Sequence, residues 1–426
     1  MSFHADDTRL GPLTDGQTVA VIGGGPGGIG CALTLRREAD KRNLRLRIVV
    51  FEGKRFGVHY NQCAGVLSPP LQQLLRDDYA LELPPEMIER EIKGYVLHSE
   101  HKQIALSGAE YGGSSLAVRR VQFDDFLERA ARERGIEIVQ TRATDLEFRN
   151  EEVVVFTWGG TLRAAAVVGA FGLSRAMTAT LSRHTRYLPP RSLDTMVTNF
   201  RPSGRNGAPL PGLLDDHIHV LLPPLKRIEF GAIIPKGNHL TVILAGENVR
   251  TDDMNAFLDL PPVHRLIPKR PEPDDYFKGR FPISLARHSF GDRYVTVGDA
   301  AGLVRPFKGK GINSAMITGG WAAQTMCDVG VSERAFREFH RQCSDITADV
   351  LYGKLIRKLT GLSAHGSFMD RVLDMAEHEP AMRELLFDCV SGRETFRKIV
   401  LRQGNVGLAT RLGGLYLLDR LQHPFG

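Results

Sequence analysis

Between residues 18 and 51 the apolar positions fall in two short unbroken runs with a helical stretch between them. Val19-Ala-Val-Ile22 is too short for a buried helix and reads as a strand covered on both faces. It breaks into Gly23-Gly-Gly25-Pro-Gly-Gly28, opens a helix, and is followed by a second apolar strand over Arg45–Phe51. Residues 92–106 alternate and predict a hairpin. Val121 to Arg134 carries Phe123, Phe126, Leu127, Ala130 and Ala131 on one side, the pattern of an amphipathic helix, and Ile136–Gln140 follows as a parallel strand. Short strands near 144–149, 152–158 and 161–164 predict a meander before the apolar strand Ala165–Ala170. The segment 186–280 is different: proline-rich and strand-forming, with few helix signals and strands near 217–222, 228–234 and 239–245. The first pattern resumes at Tyr294–Val297, and helices dominate from about 311 onward. No internal repeat or low-complexity tract interrupts this order.

The expected fold class is α/β. A Rossmann-type nucleotide-binding domain is assembled from 1–185 and 281–345, a β-rich substrate domain is inserted at 186–280, and 346–426 form a helical C-terminal region.

Composition narrows the class. With 426 residues and 42% apolar content the chain can bury a substantial core over two to three domains. Its 55 basic and 49 acidic residues leave a net charge of +6, without any basic block interleaved with aromatics, so nucleic acid is excluded as a partner. A mildly positive surface favours an anionic lipid or a phosphorylated substrate. Five cysteines, Cys31, Cys63, Cys327, Cys343 and Cys389, are odd in number and lack C-x-x-C spacing. That argues against a disulfide framework or a zinc site and for a reducing cytoplasm. Residues 1–17 are polar, so no signal peptide is expected, and no stretch approaches the ~18 apolar residues of a spanning helix. In Leu351–Leu359 and Phe396–Leu418 basic residues alternate with Leu, Ile and Val. Such a segment either lies in a membrane interface, giving peripheral membrane contact, or docks on the catalytic domain with a solvated basic face. The oligomeric state is left open.

The chemistry concentrates in two distant turns. In the first, Gly23 allows the tight turn, Gly25 lets backbone approach a pyrophosphate, and Gly28 permits close strand–helix packing. The helix N-terminus carries unpaired N–H groups and partial positive charge suited to phosphate. Glu52 ends the next strand, where a carboxylate reaches ribose hydroxyls. In the second, the strand Tyr294–Val297 delivers Gly298-Asp299, and a glycine-rich stretch through Pro306, Gly309 and Gly311-Ile312 leads into a helix. Asp299 can accept from ribitol hydroxyls, and backbone N–H groups of Gly311 and Ile312 can face the ring edge of a reduced flavin. The two turns together call for one elongated, phosphate-bearing ligand.

On these motifs the chain resembles the FAD-dependent oxidoreductases of the para-hydroxybenzoate hydroxylase type over most of residues 18–330, and within them most the geranylgeranyl reductase family. Cys63-Ala-Gly65, after His59-Tyr60-Asn-Gln, resembles that family's Cys-x-Gly segment beside substrate and flavin. Arg120-Val-Gln-Phe-Asp124-Asp-Phe-Leu127 resembles the group's Arg-x-x-Phe-Asp-x-x-Leu helix start, which implies that Arg120 touches FAD. Pro306, Gly309, Gly311, Ile312 and Ala315 match its flavin-side loop. Two departures stand out. Where the group carries Asp-Gly, this chain has Phe171-Gly172. Where the reductases carry Tyr-x-Trp-x-Phe-Pro along the substrate groove, it has Phe230-Gly-Ala232-Ile-Ile234-Pro235. A methyl in place of the indole widens the groove or admits a differently shaped substrate, and the missing tryptophans argue against the flavin halogenase branch.

The resemblance implies FAD as cofactor, NAD(P)H or another reductant as electron donor, and hydride transfer from reduced flavin to a C=C bond of a prenyl or other hydrophobic small molecule. The alternatives are a flavin-dependent monooxygenase on an aromatic or hydrophobic substrate and a flavin-binding protein without turnover. Lys308 and Lys310 hold an anionic substrate head, stabilise flavin charge, or are solvated. His217 and His219 share one side of a strand but lack a third ligand, so no metal is expected. Tyr60 and Tyr111 are candidate proton donors between which the sequence does not choose.

Overall fold

The computed structural model describes residues 10–58, 63–111, 114–200, 215–267, 276–305, 311–350, 352–353 and 368–403. Its organising element is a six-stranded sheet in the order 290–291, 294–296, 166–169, 18–22, 47–51, 137–139. Thr18–Ile22 sits at its centre, parallel to both Ala166–Gly169 and Arg47–Phe51. Glu137–Val139 and Tyr294–Thr296 extend the sheet in parallel on either side, and only Phe290–Gly291 runs antiparallel.

Parallel strands need both faces covered, and the alternation along these strands supplies both. Val19, Val21, Ile48 and Val50 pack under helices Pro26–Lys41 and Gly311–Asp328, which lie against each other. Ala20, Ile22, Val49 and Phe51 face the other way, into a core shared with the antiparallel meander Ala143–Phe148, Val153–Thr157, Gly160–Ala164 and with helix Arg175–His184. Ser174 starts that helix by accepting from the Met177 N–H. Arg293, in the left-handed region at φ 66°, stitches meander to sheet by donating to the carbonyls of Asn150 and Ala165.

The second sheet has seven strands in the order 277–282, 192–200, 239–246, 228–236, 217–221, 94–98, 103–107. The hairpin Gly94–His98 and Gln103–Ser107 joins it through a parallel pairing of 94–98 with His217–Leu221. One face carries Tyr95, Leu97, Ile218, Ala232 and Ile234 toward helices Phe368–His378 and Pro380–Ser391. The other carries Met196, Leu221, Ile233, Val242 and Leu244 toward helices Thr251–Leu258 and Pro261–Leu266. Those two helices are a departure from the strand-rich reading of 186–280. They are short, the second opens on Pro261-Pro262, and their apolar residues Met254, Phe257 and Val263 are too few to declare a helical period. A small sheet, 66–67, 115–118 and 88–92, bridges the two large ones. Leu351–Leu359, apart from 352–353, and the part of Phe396–Leu418 beyond 403 lie outside the described residues.

Candidate functional site

The strand Thr18–Ile22 ends at Gly23, whose φ of 110° only glycine adopts readily, and the chain turns at once into helix Pro26–Lys41. The three glycines of the fingerprint face different surroundings. A Cβ on Gly23 would lie 2.3 Å from the Ala170 carbonyl oxygen, and one on Gly28 would lie 1.9 Å from that of Gly23. A Cβ on Gly25 would meet nothing within 4 Å. Gly23 and Gly28 are thus fixed by the protein itself, whereas Gly25 borders space at a helix N-terminus that has no side-chain cap. That open cradle is what a pyrophosphate requires. Glu52 is set beside it: its carboxylate accepts from Gly24 N–H at 2.8 Å and from Lys54 N–H at 2.8 Å.

The cavity reached from this turn has a volume of about 1690 Å³. Gly23, Gly25, Glu52, Arg120, Gly298, Asp299, Gly311 and Ile312 line it, so the two distant turns converge on one space. So do Cys63, Phe230, Ala232 and Ile234. Gly28, Gly65 and Pro235 do not line it: Gly28 lies beneath the turn, and Gly65 and Pro235 stand behind the wall that their neighbours form. Pro306 and Gly309 lie outside the described residues, as do Lys308, Lys310 and Tyr60; of Tyr111 only the backbone is described.

Two half-buried charges mark the far side of the turn. Burial lifts the Asp299 carboxyl to about 6, with Arg120 pulling the other way. Arg120 opens helix Arg120–Glu133 and donates to Asp124 at 2.8 Å. Burial opposes its charge, but Asp124 and the neighbouring Cys63 outweigh that and hold the guanidinium above its ordinary value. A carboxylate and a guanidinium on one wall, with the N-terminus of Gly311–Asp328 nearby, offer acceptor, donor and positive potential to a ribitol–flavin moiety. The donor set therefore fits FAD, which when bound supplies hydride-transfer chemistry.

Phe171, in place of the group's acid, is folded onto the domain: it lines the cavity and meets Tyr187 edge to face at 6.2 Å, while the Tyr187 hydroxyl donates to Ala300. Arg142 is a lining residue that the sequence did not reveal, and a Cβ on Gly53 would lie 2.4 Å from its side chain. An arginine in an irregular loop carries no periodic signal. The apolar end of the cavity is roofed by Phe368, Leu373, Leu386 and Phe396 from the C-terminal helices, which amphipathic spacing announces as helices without saying what they cover.

His217 and His219 do not form a metal half-site. His217 Nδ1 faces Asp215 at 3.1 Å, whereas His219 turns its Nδ1 to His98 Nε2 at 2.8 Å. Burial first, then the neighbouring imidazole, brings His98 to about 4; burial likewise brings His219 to about 4 against the pull of Asp215. Among the described residues the one cluster with ligand spacing is Asp374, Glu377 and His378, all exposed, with Lys102 bonded to Asp374.

No protein-family model matches the chain. A digeranylgeranylglycerophospholipid reductase from Methanococcus vannielii is 24% identical over 374 residues, 82% of this chain and 88% of the relative. Among solved structures, a geranylgeranyl bacteriochlorophyll reductase-like protein from Thermoplasma acidophilum superposes with a TM-score of 0.72 at 17% identity, covering 95% of this chain and all of that one. A flavin-dependent brominase superposes with a TM-score of 0.69 at 18% identity over 93% of this chain and 99% of its own. The chain is a flavin-dependent oxidoreductase that resembles, within the para-hydroxybenzoate hydroxylase type, the geranylgeranyl reductases.

Proposed function

We propose that the protein is an FAD-dependent ene-reductase that saturates C=C bonds of a prenyl or comparably long hydrophobic substrate. The observation that carries this reading is the cavity's second limb. From Asp299 and Gly311 it continues between the sheet face of Phe230, Ala232, Ile234 and Ile243 and the roof of Leu373, Leu386 and Val390. A chain with few polar groups binds there through contact alone, at ~0.8 kcal/mol for each buried CH₂.

In this reading Gly25 and the following helix start hold the pyrophosphate, Glu52 the adenosine ribose, Asp299 and Arg120 the ribitol side, and Gly311 and Ile312 the ring edge. Cys63 and the strand Phe230–Ile234 face the substrate. NAD(P)H is the proposed donor and binds only in passing, because the sequence holds a single full dinucleotide fingerprint. Among the described residues no helix is long and apolar enough to cross a membrane. A tailed substrate is proposed to be collected from a membrane surface.

The test is anaerobic. Flavin reduced by dithionite in the purified protein should be reoxidised by a geranylgeranyl lipid without oxygen, and the product should gain two hydrogens per turnover by mass. Reoxidation that requires oxygen and adds an oxygen atom would replace this reading by hydroxylation. Reduced flavin that no prenyl or aromatic acceptor reoxidises would leave a flavin-binding protein without turnover.

A further inference from the structure

Behind the cavity wall lies a buried lysine that the flavin and substrate roles leave unused. Lys236 ends the strand Ile228–Lys236 and is 6% exposed. Its Nζ donates to the Val118 carbonyl at 3.0 Å, and the Val118 N–H donates in turn to the Gly65 carbonyl at 2.8 Å. The ammonium sits directly over the Cys63–Gly65 turn: a Cβ on Gly65, at φ 68°, would lie 2.2 Å from the Val118 oxygen and 2.9 Å from Lys236 Nζ. The turn closes on its own thiol, with the Gly65 N–H 3.4 Å from Cys63 Sγ. The Arg120 guanidinium also bonds to that thiol.

We propose that Lys236 is a positioning residue. Its ammonium pins the turn carrying Cys63 against the start of the helix carrying Arg120, so that the thiol lies between two cations at the wall of the cavity.

Three features set Lys236 apart from a residue that merely packs. An ammonium taken out of water is costly, and an apolar side chain of equal length would fill the same space without that cost. No carboxylate lies within ion-pair distance of Lys236 among the described residues; Glu89, the nearest acid acting on it, is engaged by Arg119 at 2.7 Å. Burial accordingly lowers the lysine's hold on its proton, with Glu89 and Cys63 restoring part of it and Arg119 working with burial. The strand that supplies the lysine belongs to the substrate sheet, whereas Val118, Arg119 and Arg120 lead into the helix under the flavin side. One side chain thus ties the groove to the cofactor wall through the turn between them.

A nearby cation favours the anionic form in which a thiol reacts with electrophiles, so alkylation of Cys63 reads the arrangement directly. The experiment compares full-length Lys236→Gln, which is polar but carries no charge, with Lys236→Arg, which keeps the charge. Each is loaded with FAD and treated with iodoacetamide across pH 6–9, and Cys63 modification is followed by peptide mass spectrometry. Lys236→Gln should alkylate about tenfold more slowly than wild type near neutral pH, and Lys236→Arg should stay within about threefold of it. Equal rates in Gln and Arg variants, or a Gln variant as fast as wild type, would overturn the proposal. If Lys236→Gln does not fold, Lys236→Met, which fills nearly the same volume without charge, is read in its place: slower alkylation is again expected, and a rate equal to wild type would overturn the proposal. The readout needs no turnover. Failed ene-reduction with intact alkylation behaviour would refute the proposed function alone.

Discussion

The fingerprint glycines separate two kinds of necessity at the level of single atoms. Gly28 is required by the protein's own backbone; Gly25 meets nothing within 4 Å, and its requirement is proposed to come from a ligand. Gly28→Ala should therefore lower stability by about 1–3 kcal/mol, as overpacking does, seen as a lower melting temperature of the flavin-free protein. Gly25→Ala should melt within a few degrees of wild type yet bind FAD at least about tenfold more weakly in fluorescence titration. Asp299 gives a second residue-scale prediction. Its raised carboxyl means that the folded, flavin-free state holds this proton more tightly than the unfolded chain does. Stability thus falls as pH rises from about 4 to about 6, and the whole loss, about 3 kcal/mol, is present above that window. Asp299→Asn should be more stable than wild type in urea titrations of the flavin-free protein at pH 8. It should have no such advantage near pH 3.5, and it should hold FAD less well. Both sites were legible in the sequence because their demands are local: a turn, a helix start, a strand-end acid. Arg142 and Lys236 were not, since a lone cation outside a motif becomes informative only when its neighbours are known.

At the scale of elements, the groove strand Ile228–Lys236 sets what the cavity admits. Ala232 and Ile234 share a face with Tyr95 and Ile218, and by the sequence resemblance Ala232 answers to the reductases' indole. Ala232→Trp should keep FAD affinity within about twofold while reducing turnover of a twenty-carbon prenyl substrate more than that of a ten-carbon one, measured as kcat/KM for each. Equal losses would mean that the strand does not set chain length. The alternation of this strand was readable, as were the meander and helix Arg120–Glu133, because each buries one face at a regular period. The helices Thr251–Leu258 and Pro261–Leu266 escaped notice because each presents only a turn or two of apolar residues.

For the molecule as a whole, the roof over the apolar limb comes from the end of the chain. Val372, Leu373, Met382 and Leu386 complete a core whose other half is sheet, and each fully buried side chain contributes about 1.5–3 kcal/mol. A chain ending at residue 350 should keep the glycine-rich turn and its flavin. It should bind several-fold more of a hydrophobic dye such as ANS and lose turnover of long substrates. Sequence periodicity revealed that helices are present there but not their partner surface. The order of the seven-stranded sheet was equally hidden, because pairing between remote segments leaves no trace in local spacing.

That pairing also bears on how the polypeptide matures. Gly94–His98 emerges from the ribosome with Gln103–Ser107 as its companion on one edge, while its other edge waits for His217–Leu221, more than a hundred residues later. Until then the nascent hairpin presents an open row of amide and carbonyl groups to whatever it meets. Synthesis speed through that interval, and chaperone cover during it, should govern the yield of soluble protein more strongly here than in a relative whose sheet closes in sequential order.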